Sequence, residues 1–211
     1  KINNFLNKYQ LKDPFMNNMI LKSKKLIKNN KIINTKNIII DSRDDFINRL
    51  RYNSLKSNCI NSFNYIRNIH SKNTDQVTNY FFNKITKAHS DSKEGLHILL
   101  FTGEIPVKVE GKTAKGGRNQ HLVTKMIKKF KDKISFNFAF IAIGTDGMDY
   151  LSGVAGGYFS KSVLDTIPIK DVDKFIEKQN TYYFLKKNNL LINSEITSHN
   201  ISDFFIFIFK K

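Results

Sequence analysis

The residues best suited to chemistry form an acidic loop bounded by glycines. Residues 139–143 are apolar, and Gly144-Thr-Asp-Gly147 follows them directly. In open α/β sheets, ligands bind beyond the carboxyl ends of strands, where glycine lets the backbone approach them closely. Asp146 is therefore predicted to hold Mg²⁺ or to accept a proton from a substrate hydroxyl group. A tight turn in which Asp146 bonds its own backbone explains the same pattern equally well.

A basic glycine loop is the second candidate. It runs Gly111-Lys-Thr-Ala-Lys-Gly-Gly-Arg-Asn-Gln120 and leads into a helix predicted to begin near Asn119. Backbone N–H groups at a helix N-terminus and a forked guanidinium both suit a phosphate or a carboxylate, so Arg118 is the predicted anion clamp. A Walker A loop would need glycine at position 106, where the chain has Pro106. The alternative is a glycine turn in solvent whose lysines face water.

A third segment, residues 196–203, precedes the last apolar run and would bring His199 and Asn200 to the same rim. Asparagine in such a segment is more often a turn residue than a ligand contact, so this segment alone decides little. The other histidines do not show the spacing of metal ligands. They are His70, His89, His97 and His121.

Strands and helices must position these loops, and the pattern of apolar residues indicates where they lie. We predict strands at 37–40, 62–66, 97–101, 105–109, 136–143 and 201–209. Helices are predicted at 43–52, from a cap at Thr74 onward, at 120–130, and at 161–187 with a break near Pro168. A polar stretch at 89–95 separates the two parts of the chain. Strands that alternate with helices predict an α/β fold with a mainly parallel sheet covered on both sides.

The composition bounds the partners and the compartment. The net charge is +17 and the pI is near 9.8, but the lysines are scattered rather than clustered, so nucleic-acid binding is not favoured. The single cysteine, Cys59, excludes a disulfide framework and favours the cytoplasm. The longest apolar runs are far shorter than the roughly 20 residues of a membrane helix. The sequence starts without methionine and without signal-peptide features, as expected for a chain entered midway.

Four motifs occur in the order found in one enzyme family. They are Gly103-Glu104, Lys115-Gly-Gly-Arg-Asn-Gln120, Gly144-Thr-Asp-Gly147 and Asn200-Ile-Ser-Asp203. From about residue 94 to 211 the chain resembles the C-terminal MOFRL domain of class II glycerate kinases. Residues 37–89 resemble the end of the same family's N-terminal domain in pattern only. The resemblance implies an α/β fold in which residues 1–93 form part of an N-terminal α/β domain and residues 94–211 form a MOFRL-type domain with a mixed sheet.

The resemblance also implies a reaction. Enzymes of this family transfer the γ-phosphoryl group of ATP to a hydroxyl group of D-glycerate with Mg²⁺. Some are labelled hydroxypyruvate reductases, but no dinucleotide fingerprint is visible in this sequence. By matched position, Arg118 would hold the substrate carboxylate or phosphate, Asp146 would bind metal or act as a base, and Asn200 would complete the pocket. The residues implied to bind substrate or phosphate are Gly116, Gly117, Asn119, Gly144, Thr145 and Gly147.

Departures from the family's pattern bear on activity. Tyr150 stands where the family has glycine and would resist a positive φ. Glu195 adds bulk and negative charge to a loop in which the family has glycines. The family's N-terminal half, with its own lysine, has no counterpart before Lys1, so we expect activity to require that half on a longer or separate chain. The alternatives are a non-enzymatic remnant or anion-binding module, and a nucleic-acid-binding protein.

Overall fold

Helices and strands alternate along the chain in the computed structural model, which describes residues 42–69, 73–107, 114–197 and 199–211. The helices are α1 (Arg43–Lys56), α2 (Thr74–Asp91), α3 (Arg118–Phe130), α4 (Lys161–Thr166), α5 (Val172–Glu177) and α6 (Thr181–Lys187). The strands are β1 (Ser62–Ile69), β2 (Leu96–Gly103), β3 (Phe138–Gly144), β4 (Val154–Ser160), β5 (Leu191–Asn193) and β6 (Asp203–Lys210). The strand predicted at residues 37–40 lies outside the described residues.

Side-chain caps explain where the first two helices begin. The Ser42 hydroxyl accepts the N–H of Asp45 at 3.2 Å, which caps α1. The predicted cap at Thr74 is wrong by one residue, because Oδ1 of Asn73 accepts the N–H of Gln76 at 2.9 Å. Serine and asparagine satisfy backbone N–H groups that a helix start leaves without intrahelical partners.

The six strands form one mixed sheet in the order β1-β2-β6-β3-β4-β5. β1 and β2 are parallel, and the other neighbouring strands are antiparallel. The predicted α/β fold with a mixed sheet is confirmed, whereas the mainly parallel sheet expected from the alternation alone is wrong. The reason is β6, the last strand in sequence, which lies between β2 and β3 and runs opposite to both.

Both faces of the sheet are covered by apolar side chains, so β2 is buried along nearly its whole length. On one face, Phe101 packs with Phe81 of α2 at a ring-centroid distance of 4.5 Å, and Phe205 lies 5.4 Å from the same ring. On the other face, Leu100 belongs to a smaller cluster that includes Ile47 of α1. Burying each of these side chains contributes about 1.5–3 kcal/mol. The packing holds the strand ends in fixed relative positions.

The remaining sequence predictions differ from the structure in the loops. Residues 105–107 form no strand, and residues 108–109 of the predicted strand lie outside the described part. The helix predicted at 161–187 is three short helices, with the break between α4 and α5 at Pro168 as predicted. Residues Asp41–Lys211 form one compact unit. The domain boundary between residues 93 and 94 stays a prediction.

Candidate active site

One edge of the sheet collects the motif residues because three strand ends meet there. β2 ends at Gly103, β3 ends at Gly144, and β6 begins at Asp203. Asp203 pairs with Gly103 in one ladder and with Gly144 in the other. The backbone of Asp203 is therefore fixed between the two strands that end in glycine.

The Arg118 side chain is held at this edge by a bidentate bond to Asp203. Its Nε donates to Oδ2, and its Nη2 donates to Oδ1 at 2.8 Å. The side chain of Asp203 is 2% exposed and that of Arg118 is 35% exposed. The carboxylate is therefore buried, whereas part of the Arg118 side chain remains accessible to solvent. The bond to Asp203 raises the pKa of Arg118 above its ordinary value, so Arg118 stays charged. Burial raises the pKa of Asp203, and the bond from Arg118 opposes that rise.

Asp149 caps the N-terminus of α3. Its Oδ1 accepts the N–H of Asn119 at 3.0 Å, and its Oδ2 accepts the N–H of Gln120 at 2.8 Å. A Cβ atom at Gly117 would lie 2.1 Å from Cγ of Asp149, so only glycine leaves room for this carboxyl group. Burial raises the pKa of Asp149 to about 6, although these hydrogen bonds act in the opposite direction. The carboxylate bound at this helix N-terminus thus comes from the chain itself.

Asp146 lies beside Arg118 on the rim of a cleft. The cleft has a volume of about 280 Å³ and is lined by Arg118, Asp146, Met148, Asp149 and Tyr150. Oδ1 of Asp146 accepts the N–H of Met148 at 3.1 Å, and its carbonyl accepts the N–H of Thr197 at 2.9 Å. The turn in which Asp146 bonds its own backbone is therefore present. Its base and metal roles stay predictions, because the turn occupies one oxygen of the carboxylate and leaves the other.

The donor set fits Mg²⁺ only in a minimal way. Among the described residues, no group of three or more His, Cys, Asp or Glu side chains is arranged to hold a metal ion. Asp149 and Asp203 use their carboxyl oxygens for α3 and Arg118, which leaves Asp146 as the carboxylate available on the cleft. Mg²⁺ at phosphate-transfer sites is commonly bound by one or two carboxylates together with substrate phosphates and water. Asp146 meets that requirement without a preformed cage.

Thr145 and Asn200 join the acidic loop to the segment before β6. The Thr145 hydroxyl donates to the Ser202 carbonyl at 2.8 Å and accepts the N–H of Ile201 at 3.0 Å. Oδ1 of Asn200 accepts the N–H of Ser202 at 3.1 Å. Asn200 lines a neighbouring cleft of about 700 Å³, together with Glu104 and the start of α1. The structure thus places Arg118 and Asp146 on one cleft and Asn200 on the next.

Tyr150 adopts the conformation that its side chain was expected to resist. Its φ is +69°, in the left-handed region, and its ring is 70% exposed. Gly147, with φ of +80°, completes the same loop, and a Cβ atom there would lie 2.1 Å from the carbonyl oxygen of Glu195. The substituted loop therefore keeps a turn with two positive φ angles. It does so at the cost of backbone strain at Tyr150.

The glycine loop is supported by contacts from the start of α6, and the sequence did not predict these contacts. The N–H of Lys115 lies 3.1 Å from both the Gln179 carbonyl and Oδ1 of Asn180. The Lys115 ammonium lies 5.2 Å from the ring centroid of Tyr182, a cation–π contact. Gly116 lies next to Thr181. The turn before α6 and the first residues of α6 therefore hold the loop that carries Arg118.

Sequence reasoning also gave no role to Asp149 and Asp203, although Asp203 ends the last motif and Asp149 lies two residues after the acidic loop. The sequence did contain one indication for Asp203. It directly precedes the apolar run 204–209, which is expected to be buried, so Asp203 is the polar residue of segment 196–203 nearest to the core. A carboxylate at such a place needs a partner. Arg118 is the basic residue that supplies it.

Comparison with known proteins gives the family. The MOFRL family model matches residues 97–203, about half of the chain. The chain belongs to the MOFRL family. The match contains the Arg118 loop, the Asp146 loop and Asp203, which are the residues that meet at the sheet edge.

Relatives of this MOFRL chain include named kinases. Glycerate 2-kinase of Picrophilus torridus is 27% identical over 173 residues, which cover 82% of this chain and 39% of the relative. Glycerate 2-kinase of Pyrococcus horikoshii is 33% identical over 113 residues, which cover 53% of this chain and 25% of the relative. The chain thus spans well under half the length of these relatives.

A solved structure shares the fold. The crystal structure of glycerate kinase from Thermotoga maritima aligns with a TM-score of 0.69 at 21% identity, covering 84% of this chain and 42% of that one.

Across the described residues of the MOFRL chain, no helix is both long enough and apolar enough to cross a membrane.

Proposed function

We propose that this chain forms part of a glycerate 2-kinase, which transfers the γ-phosphoryl group of ATP to a hydroxyl group of D-glycerate. The observation that carries the proposal is Arg118, a charged fork held by Asp203 beside the Asp146 carboxylate at the edge where the family's motifs meet. The names of the relatives support the same reaction. A cytoplasmic location stays a prediction from the single cysteine.

The roles of the side chains follow from their free atoms. Among the described residues, no hydrogen bond is made by Nη1 of Arg118, so its N–H groups would donate to the glycerate carboxylate or to the transferred phosphoryl group. Oδ2 of Asp146 would accept the proton of the attacking hydroxyl group or hold Mg²⁺. Asn200, Gly116, Gly117, Asn119, Gly144, Thr145 and Gly147 would shape the surrounding pocket.

The charge of the cleft supports a requirement for a cation. Asp146 and Asp149 line it with Arg118, and the charge of Arg118 is already balanced by Asp203. A bare triphosphate would meet net negative charge there. Mg²⁺, when bound, would neutralise phosphate charge during transfer. Phosphoryl transfer depends mainly on positioning and charge neutralisation, which these groups can supply.

The first experiment measures ATP-dependent phosphorylation of D-glycerate by the purified 211-residue chain. We expect turnover to fall by about 100-fold in Arg118→Ala, as for loss of one charge-stabilising donor. The matched control is Arg51→Ala, which removes an exposed guanidinium from α1 and should leave turnover unchanged. Equal turnover in wild type and Arg118→Ala would overturn the site assignment.

A binding measurement decides the case in which the chain alone shows no turnover. The relatives are more than twice as long as the matched region, so other parts of the family's fold can be required for transfer. Calorimetric titration with D-glycerate and with Mg·ATP should then detect binding that Arg118→Ala weakens strongly. A folded chain that binds neither ligand contradicts the proposal and favours a non-enzymatic remnant.

A further inference from the structure

Asp203 has a role that the proposed reaction does not by itself require. We propose that Asp203 is a positioning residue, which orients the Arg118 guanidinium so that its remaining N–H groups face the cleft that Asp146 lines. The ligand of this arrangement, D-glycerate, rests on the proposed function. The orientation of Arg118 by Asp203 follows from contacts among the described residues.

Asp203 is itself held without freedom to turn. Its backbone is paired with Gly103 on one side and Gly144 on the other. Its side chain is almost completely buried. A buried carboxylate on a backbone paired on both sides sets the plane in which a guanidinium can bind it.

The bond to Asp203 uses the Nε and Nη2 edge of Arg118. Both carboxylate oxygens are engaged, so rotation of the planar guanidinium about the Cδ–Nε bond would break at least one hydrogen bond. The backbone of the following residue, Asn119, is separately fixed by Asp149. Asp149 therefore holds the backbone next to Arg118, whereas Asp203 holds the Arg118 side chain. The direction of the guanidinium depends on Asp203.

A competing carboxylate shows why the fork is needed. Oε1 of Glu104 lies 3.8 Å from Nη2 of Arg118, and the Glu104 side chain is 59% exposed. Without the charge of Asp203, Coulomb attraction would draw the guanidinium toward Glu104 and away from the cleft. The buried Asn119 amide also lies close enough to Asp203 to lower its pKa, but it is neutral and supplies no charge to balance the carboxylate.

The first test observes the guanidinium directly by NMR of the full chain labelled at arginine nitrogens. The Nε–H of Arg118 should be protected from exchange with water in the wild type and exchange at least tenfold faster in Asp203→Asn. The matched control is Asp75→Asn, which removes a carboxylate bonded to Lys125 on the same helix at 2.8 Å and should leave the Arg118 signal unchanged. A rapidly exchanging Arg118 signal in the wild type overturns the proposal without any variant.

The second test is a double-mutant cycle on D-glycerate affinity, measured by calorimetry. Asp203→Asn should weaken binding at least tenfold in the wild-type background and less than twofold in the Arg118→Ala background, because Asp203 acts only through Arg118. Equal losses in both backgrounds would indicate a general structural effect and overturn the proposal.

Two further outcomes remain decisive. If Asp203→Asn does not fold, Arg118→Lys takes its place, because lysine keeps the charge without the fork. We then expect D-glycerate binding to be weakened as much as in Arg118→Ala, and wild-type affinity in Arg118→Lys overturns the proposal. If the wild type does not bind D-glycerate, the proposed function fails, and the exchange of the Arg118 Nε–H decides the positioning role alone.

Discussion

Two buried carboxyl groups determine the character of the site at the residue scale. Asp149 and Asp203 are 3% and 1% exposed, and both lie within reach of α3. Asp203 is paired with a cation, whereas Asp149 is held only by neutral N–H groups. Removal from water therefore affects Asp149 more strongly, and the nearby charge of Asp203 adds to the rise of its pKa. Asp149 is the group whose protonation should respond to pH near neutrality.

The pH dependence of stability tests this difference. The pKa of Asp149 is raised from 3.8 to about 6 in the folded chain, so its stabilising contribution is fully present below pH 4 and is lost as pH rises through 6. Relative to Asp149→Asn, the free energy of unfolding of the wild type should fall by roughly 3 kcal/mol between about pH 4 and pH 7. Urea unfolding of both chains across this range measures it.

Asp171→Asn is the control for that series. Lys174 lowers the pKa of the exposed Asp171 through a side-chain hydrogen bond. The contribution of Asp171 is therefore present above its unfolded pKa and lost only at lower pH, so its difference curve should be flat above about pH 4. A flat or rising curve for Asp149 over the same range would contradict its assigned pKa.

Only some of the functional residues could be predicted from the sequence. Arg118 and Asp146 were recognised because a forked cation suits an anion and an acidic glycine loop suits a metal or a proton, and the structure places both on one cleft. Asp149 and Asp203 could not be assigned roles, because their partners lie 29 and 85 positions away in sequence. Spacing along a chain does not encode such contacts.

At the scale of elements, the start of α3 is the critical junction. The glycine loop, the cap from Asp149 and the fork to Asp203 all act within its first turn. A helix N-terminus without a cap leaves backbone N–H groups unsatisfied, which costs about 1 kcal/mol or more. The element that carries Arg118 therefore depends on a carboxyl group from a different loop.

Gly117→Ala should disrupt this junction. The added Cβ atom would lie 2.1 Å from Cγ and 2.2 Å from the carbonyl oxygen of Asp149, so Asp149 must move and lose its bonds to α3. We expect a loss of about 3 kcal/mol in the free energy of unfolding, from overpacking together with the lost cap. Chemical denaturation at pH 7 measures it.

Gly153→Ala separates crowding from backbone conformation. Gly153 has φ of +83° and no atom within 4 Å of an added Cβ, so its replacement introduces strain without contact. A loss of only about 1 kcal/mol is expected there. Similar losses in the two variants would show that the contact with Asp149 is not what Gly117 protects.

Elements were more predictable than their arrangement. The apolar runs located four of the six strands in the described part of the chain, because burial on both faces makes a strand largely apolar. The position of β6 between β2 and β3 could not be predicted, since nothing local to residues 203–210 states which neighbours it pairs with. That pairing is also what brings Asp203 to Arg118.

On the scale of the whole molecule, charge is distributed unevenly. The chain has a net charge of +17, yet the described site edge carries Glu104, Asp146, Asp149 and Asp203 around Arg118. Lysines that are scattered along the sequence come together elsewhere in the structure, as around a cleft of about 580 Å³ that is lined by Lys170, Lys174, Lys178 and Lys187. Repulsion among such like charges destabilises the folded state. Dissolved salt weakens this repulsion, because the Debye length is about 10 Å at 0.1 M and exposed charges farther apart than that are largely screened.

Added salt should therefore stabilise this chain. Raising NaCl from about 10 mM to 0.5 M is expected to raise the free energy of unfolding by about 1 kcal/mol and Tm by roughly 3 °C. The Lys170→Glu and Lys178→Glu double variant reverses two exposed charges, so it should have a higher Tm at low salt and a smaller gain in Tm on adding NaCl.

The partly buried ion pair between Arg118 and Asp203 is screened by salt less than surface charges are, so its weakening should not reverse the rise in Tm. Thermal unfolding by circular dichroism measures both chains, and an unchanged or falling Tm in the wild type would show that surface repulsion is not a significant term in its stability.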